Sequence, residues 1–120
     1  MRQPTKPYPR MARVNETLRH AIALELERIA DIESELSILT VTGVECDPDL
    51  KHAKVYLAAL APDQREILDT HRQKVQSNLA KSVRLKRTPQ LSFEVDPAIV
   101  KGEIIEKTLR QIAENHREST

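Results

Sequence analysis

Apolar residues recur at intervals of three and four in three parts of the chain, and this spacing predicts three amphipathic helices. The first helix extends from about Met11 to Asp31. The second helix begins at Pro62-Asp63, because proline is tolerated in the first helical turn, and it reaches about Leu85. The last helix carries an apolar stripe made of Ile104, Ile105, Leu109 and Ile112.

Shorter stretches alternate apolar and polar residues, which predicts strands. Two of these strands form a hairpin at about 38–46 and 51–60, joined by the turn residues Asp47-Pro48-Asp49. A bulge at Gly43 would place the apolar residues of the first arm on one face of the sheet. One face of the second arm carries Ala53, Val55, Leu57 and Ala59. The hairpin is therefore expected to have one covered face.

The third strand, Leu91–Val95, follows the helix-breaking pair Thr88-Pro89, and the element order becomes α-β-β-α-β-α. This order predicts an α+β fold in which helices pack on one face of a three-stranded sheet. A chain of 120 residues is long enough for one such domain. We assign this domain to residues 10–115, between a flexible, basic, proline-rich tail at 1–9 and a disordered C-terminus at 116–120.

Composition excludes several classes of function. The two glycines, Gly43 and Gly102, cannot build a glycine-rich phosphate loop, and the single cysteine, Cys46, excludes an internal disulfide. Cysteine and histidine residues do not have the spacing of a zinc site. Apolar runs are too short to span a membrane, and the N-terminus lacks the apolar core of a signal peptide. We therefore expect a non-catalytic protein of the cytoplasm or an organelle interior, without cofactor, metal or membrane contact.

Charge is separated into blocks that the formal net charge of +1 conceals. Residues 1–20 are basic, residues 21–50 are acidic, and residues 74–89 carry five cations and no acid. These five cations are Lys74, Lys81, Arg84, Lys86 and Arg87. An acid-free ridge on the second helix and the following turn would release counterions from a phosphate backbone, which predicts RNA binding. The alternative interpretation is an ordinary solvated helix face.

Two blocks of the sequence resemble one known family. Val41-Thr42-Gly43-Val44-Glu45 and the following His52-Ala53-Lys54-Val55-Tyr56 are similar to the hairpin of ribosome-binding factor A. Residues 81–93 are similar to the helix end, turn and third strand of that family. The resemblance implies a type II K-homology-like fold and a ribosome assembly factor. Such a factor binds the immature small ribosomal subunit and its ribosomal RNA, and it assists late maturation and RNA processing without catalysis.

The resemblance also concerns the binding site and the partners. The family has a helix kink with an Ala-x-Gly pattern where this chain has His71-Arg72-Gln73, so either a kink without glycine or one straight helix is expected. The residues expected to contact RNA are Arg10, Arg13, Arg72, Lys74, Lys81, Arg84, Lys86 and Arg87. We expect a monomer, with a GTPase or a ribosomal protein as further candidate partners. The alternative function is a protein-interaction module that binds a basic partner through an acidic patch near Asp31–Glu35.

Overall fold

The computed structural model describes residues 9–33, 36 and 39–118. Its elements are α1 (Pro9–Ala30), β1 (Val41–Cys46), β2 (His52–Leu57), α2 (Pro62–Ser82), β3 (Gln90–Val95) and α3 (Pro97–Glu118). The sheet has the strand order β1-β2-β3, with β1 antiparallel and β3 parallel to β2. This architecture confirms the predicted α+β fold and its order α-β-β-α-β-α.

The bulge predicted in the hairpin is present. Val41 and Gly43 pair with the successive residues Leu57 and Tyr56, which leaves Thr42 as the extra residue of β1. A bulge changes which side of the sheet the following residues face. The two later apolar residues of β1 therefore lie on the covered face, where both are buried.

Strand β2 is shorter than the sequence predicts. It ends at Leu57, and Ala59, which was assigned to its covered face, is exposed. Beyond the strand, the Ala58 N–H donates to the Thr40 carbonyl oxygen at 3.0 Å. The chain then turns toward Pro62, where α2 begins, so the residues between cannot extend the ladder.

The core lies between one face of the sheet and the helices α1 and α2. Helical spacing directs one stripe of each helix toward the sheet, and alternation directs every second strand residue toward the helices. The large buried side chains include Leu18, Ile22, Leu57, Leu68, Leu79 and Leu91. Asn15 of α1 adds a polar anchor, because its Oδ1 accepts a hydrogen bond of 2.9 Å from the Cys46 N–H at the end of β1.

Helix α3 leaves the sheet without covering it. Asp96 fixes its start, because Oδ1 accepts the Ala98 N–H at 2.9 Å and Oδ2 accepts the Thr42 hydroxyl at 2.8 Å. The predicted apolar stripe of α3 is 55% to 61% exposed, so α1 and α2 are the described helices that pack on the sheet. Residues 116–118, predicted to be disordered, continue this helix. Residues 1–8 of the predicted tail lie outside the described residues, as do residues 119 and 120.

Helix α2 is continuous through His71-Arg72-Gln73, the position at which the resembling family has a kink. It ends at Ser82, three residues before the predicted end. Val83 takes an extended conformation (φ −118°, ψ 129°), although its N–H still donates to the Leu79 carbonyl oxygen at 2.9 Å. A β-branched residue favours extended backbone, and in this conformation Val83 and Leu85 both pack against the core.

Candidate nucleic-acid interface

A segment without regular secondary structure, residues 83–87, follows α2 and carries three cations; we call it the basic strap. Val83 and Leu85 are partly buried against the core, and they hold the strap in place. Arg84, which lies between these two anchors, is exposed. The exposed cations of the strap are Arg84, Lys86 and Arg87. Arg84, predicted on the helix, therefore lies beyond it.

Gln76 of α2 holds the chain where the strap leads into β3. Its Nε2 donates to the Pro89 carbonyl oxygen at 2.8 Å, and its Oε1 accepts the Leu91 N–H at 2.7 Å. Pro89 and Leu91 are both almost fully buried, so these two backbone groups need a partner within the protein. The Gln76 side chain therefore fixes the position of the strap relative to α2.

The strap forms one wall of a groove, and the beginning of α1 forms the other wall; we call it the arginine groove. Its volume is about 440 Å³. The described residues that line it are Arg10, Arg13, Val14, Thr17, Val83, Arg84 and Leu85. Those from α1 share one side of the helix, because they are spaced three and four apart. The arginine groove thus joins two basic blocks that are far apart in the sequence, and its described lining contains no acid.

Glu16 is the acid of α1 that lies closest in sequence to the groove-lining residues Arg13 and Thr17, and its charge is paired. Its carboxylate accepts hydrogen bonds from Arg19 Nε at 3.1 Å and from Arg19 Nη2 at 2.5 Å. The ring of His20 lies 3.2 Å from the same carboxylate. The hydrogen bonds from Arg19 lower the pKa of Glu16. Because this pair is exposed, it contributes little to stability, but it offsets a negative charge near the groove.

Two of the predicted RNA-binding residues lie away from the arginine groove. Arg72 donates from Nη2 to Asp69 Oδ1 at 2.5 Å, and its Nε is buried without a hydrogen-bond partner among the described residues. Lys74 is exposed beside a second groove, of about 200 Å³, which Glu25 also lines. Lys74 precedes the exposed Lys81 by about two helical turns. Lys74 therefore lies on the same side of α2 as Lys81 but is displaced along the helix axis, away from the arginine groove.

The six remaining predicted residues lie at one end of the domain. Arg10, Arg13 and Arg84 line the arginine groove together. Lys81 is exposed in the last turn of α2. The other two, Lys86 and Arg87, are exposed on the strap. Lysine and arginine concentrated without an intervening acid suit a phosphate backbone, and the planar arginine guanidinium can bind a phosphate through two hydrogen bonds.

Glu25, an acid of the block 21–50, is 4% exposed and belongs to the contact between α1 and α2. Its carboxylate accepts hydrogen bonds from Asn78 Nδ2 at 2.7 Å and from Arg28 Nη1 at 2.5 Å. The Asn78 side chain is therefore turned toward α1. Glu33 lies 3.7 Å from the His71 ring, and Glu35 lies outside the described residues.

The uncovered face of the sheet mixes both signs of charge. Glu45 and Lys54 are exposed there, and the Tyr56 hydroxyl donates to Glu45 Oε1 at 3.3 Å. Partial burial, followed by the charge of Glu45, raises the pKa of Tyr56. A surface of mixed sign does not favour a phosphate backbone.

On the opposite face, Cys46 is buried as a strand residue, as predicted, and burial raises the pKa of its thiol.

Sequence reasoning missed two residues that shape the interface. Thr17 lines the arginine groove, and its spacing of four from Arg13 is a signal that could have indicated this position. Gln76 gives no such signal, because its role depends on two backbone groups that only the folded chain brings to it. Within the described residues, no group of three or more histidine, cysteine or acidic side chains could hold a metal ion.

Comparison with protein families gives one match over most of the chain. A family model described as ribosome-binding factor A matches residues 10–109. A ribosome-binding factor A of Rhodopseudomonas palustris is 37% identical over 108 residues, which cover 85% of this chain and 80% of the relative. One of Neisseria meningitidis serogroup B is 34% identical over 117 residues, which cover 94% of each chain.

Solved structures of the same kind are similar in fold. The crystal structure of ribosome-binding factor A from Thermus thermophilus has a TM-score of 0.64 at 28% identity, covering 71% of this chain and 94% of that one. The solution structure of a Thermotoga maritima protein, described as a putative ribosome-binding factor A, has a TM-score of 0.63 at 25% identity, covering 77% and 92%. A Thermus thermophilus homology model fitted into the map of a 30S complex has a TM-score of 0.58 at 27% identity, covering 69% and 91%.

These likenesses confirm the predicted type II K-homology-like fold and the predicted resemblance. None of the helices in the described part of the chain has the length and apolar character needed to cross a membrane.

Proposed function

The chain belongs to the ribosome-binding factor A family, and from this membership we propose that it binds the immature small ribosomal subunit through the arginine groove and the basic strap. The observation that carries the proposal is the convergence of Arg10, Arg13 and Arg84 on one groove whose described lining contains no acid. We extend to this chain the 30S association that is stated for the Thermus thermophilus relative. The ligand within the subunit is its ribosomal RNA.

Phosphate neutralisation supplies most of the binding free energy in this proposal. Each arginine or lysine that replaces a counterion on the RNA backbone contributes favourable ion release, and the affinity consequently falls as salt rises. The positions of Lys81, Lys86 and Arg87 extend the contact beyond the groove along the same end of the domain. The wall made by the strap is anchored by apolar contacts and by Gln76, so little ordering is required when RNA binds.

The proposed work of the protein is to favour one conformation of the subunit RNA over others. A ligand shifts such an equilibrium only by the difference between its affinities for the two states. We propose that the preferred state occurs late in maturation, and that its stabilisation assists RNA processing by other factors. Histidine, cysteine and carboxylate side chains, the usual general bases, do not occur among the described residues that line the groove, so we propose a non-catalytic role.

Salt dependence of binding to purified small-subunit precursors tests the proposal. Replacing Lys81 and Arg84 by Gln should weaken binding and reduce the slope of log affinity against log salt by about 1.5, for two lost phosphate contacts. The matched control replaces Lys54 and Lys107, exposed cations on the sheet face and on α3, and should leave the slope unchanged. Equal slopes for the two double variants would refute the proposed interface.

The same assay addresses the protein-interaction alternative. Asp31 of the predicted acidic patch and the nearby Glu27 are exposed near the end of α1, and replacing both by Lys reverses the charge at this position. Under the RNA proposal this variant binds the precursor as well as the original chain or better, because no attractive contact is removed. Loss of binding in this variant, with binding retained in the Lys81 and Arg84 variant, would favour the protein-interaction alternative.

A further inference from the structure

The arginine groove combines two kinds of surface that a phosphate site alone does not need. Its rim carries Arg10, Arg13 and Arg84, which are exposed. Its floor is apolar and consists of Val14, Val83 and Leu85, which are partly buried against the core. The groove is open to solvent, and its volume of about 440 Å³ is enough for a small planar group to lie in it.

We propose that the arginine groove takes an unpaired RNA nucleotide, with its base on the apolar floor and its flanking phosphates on the rim arginines. This inference rests on the proposed function and names the form of RNA that the site recognises. A base in a double helix is stacked and paired, so it cannot reach the bottom of a groove, whereas an unpaired base can be turned outward. Apolar contact with the base and cationic contact with the phosphates then act together, as they do in proteins that bind single strands.

Charge distinguishes this occupant from two others. Residues 1–8 precede the groove in sequence and carry Arg2 and Lys6 without any acid, so their charge repels the rim arginines. A second copy of the chain could bring the exposed apolar stripe of α3, but that helix carries four Lys or Arg side chains and four Glu side chains, so it has no net negative charge. RNA is the occupant with charge complementary to the whole rim.

Filling the groove tests the inference without removing any cation. Thr17 is exposed and lines the groove, so Thr17→Phe would occupy the space of the base while all three arginines remain. The matched control is Thr108→Phe, the same change on the exposed surface of α3. Melting temperatures establish that both variants are folded, and Thr17→Leu, a smaller change to a good helix former, serves if the phenylalanine variant is unstable.

The measurement compares fluorescently labelled single-stranded RNA of eight to ten nucleotides with a duplex of the same sequence. We expect the single strand to bind the original chain about tenfold more tightly than the duplex. Thr17→Phe should weaken single-strand binding by about tenfold, with duplex binding and the salt slope nearly unchanged, because the phosphate contacts persist. Thr108→Phe should change neither.

Four results would overturn the inference. Equal affinity for single strand and duplex would show that the apolar floor is not used, and so would an unaffected single-strand affinity in Thr17→Phe. A marked rise in single-strand affinity on deletion of residues 1–8 would identify the tail as the occupant. A dimer in sedimentation equilibrium that is lost in Thr17→Phe would identify a second copy.

Failure of this inference is distinguishable from failure of the proposed function. If precursor binding is lost when Lys81 and Arg84 are replaced but is unaffected by Thr17→Phe, the arginine groove contacts RNA through phosphates alone. If precursor binding is unaffected by the replacement of Lys81 and Arg84, the proposed function itself is wrong.

Discussion

Replacing Gln76 by Met isolates the contribution of one side chain that joins α2 to the start of β3. Methionine keeps the length of the side chain and has a similar helix propensity, so the change removes two hydrogen bonds and little else. The bonds lost are those to the Pro89 carbonyl oxygen, at 2.8 Å, and from the Leu91 N–H, at 2.7 Å. Both backbone groups belong to residues that are almost fully buried.

The expected loss of stability follows from leaving these two groups without a partner. A buried donor or acceptor that loses its hydrogen bond costs about 1–3 kcal/mol, so two such groups together cost about 2–4 kcal/mol after partial rescue by water. That loss is a large fraction of the total for a small domain, about 5–15 kcal/mol. The Gln76 variant is therefore expected to be folded but clearly weakened.

Urea unfolding followed by far-ultraviolet circular dichroism measures the effect. With a denaturant slope of about 2 kcal/mol per molar, the midpoint should fall by about 1–2 M. The control is Gln73→Met, the same substitution one turn earlier on the exposed side of α2, which should change stability by less than about 0.5 kcal/mol. Equal midpoints for the two variants would refute the reasoning.

Three further predictions concern the core, α3 and the thiol. Val55→Ala should destabilise the protein by about 1–4 kcal/mol, because Val55 is fully buried. Lys54→Ala should change the stability little, because Lys54 faces solvent. Denaturant midpoints that rank in the opposite order would contradict the assigned facing of β2. Deleting residues 101–120 should shift the unfolding free energy by less than about 0.5 kcal/mol, since residues 101–117 are exposed; a large loss would show that α3 packs on the domain. Burial, and then Asp47 and Asp49, raise the pKa of the Cys46 thiol above its ordinary value of 9.0, so the thiol contributes stability below that pH. This contribution is lost as the pH rises from 9.0 through the higher pKa of the thiol in the folded protein. The Cys46→Ala variant should not show this loss of stability. Parallel stability profiles of the two proteins between about pH 7 and 10.5 would contradict the shift.

Local spacing predicted the elements because each period reflects which side of a helix or strand is buried. Val55 and Leu57 alternate with Lys54 and Tyr56. The two apolar residues, Val55 and Leu57, are buried as expected. The bulge could also be predicted, since Gly43 interrupts an alternation that one extra residue restores. Each of these signals lies within a few residues of the feature that it predicts.

The errors arose where tertiary packing decided between two local possibilities. Val83 and Leu85 fit a helix stripe, but Val83 takes an extended conformation that ends the helix, and both side chains contact the core from the segment beyond it. The stripe of α3 predicted a helix correctly, yet the pattern does not specify a surface that covers it. Periodicity also could not show that Glu25 meets Asn78, because the two lie on different helices.

The candidate site was predictable in composition but not in geometry. Blocks of charge identified six cations that lie at one end of the domain. The convergence of Arg13 with Arg84 depends on how α1 crosses the end of α2, which no local pattern contains. The separation of Lys74 from Lys81, about two helical turns along α2, is by contrast contained in the sequence.

Co-sedimentation with small-subunit precursors tests the central claim most directly, that the arginine groove is the surface by which this chain binds the subunit. Two triple variants are compared at one salt concentration: Arg10, Arg13 and Arg84 replaced by Glu, and Lys54, Lys101 and Lys107 replaced by Glu. All six residues are exposed, so both variants undergo the same change of net charge without loss of core contacts. The account predicts that the groove variant loses about a hundredfold or more in affinity for the precursor, because three attractive phosphate contacts become repulsive, while the control variant still sediments with it. Equal association of the two triple variants with the precursor would contradict the account.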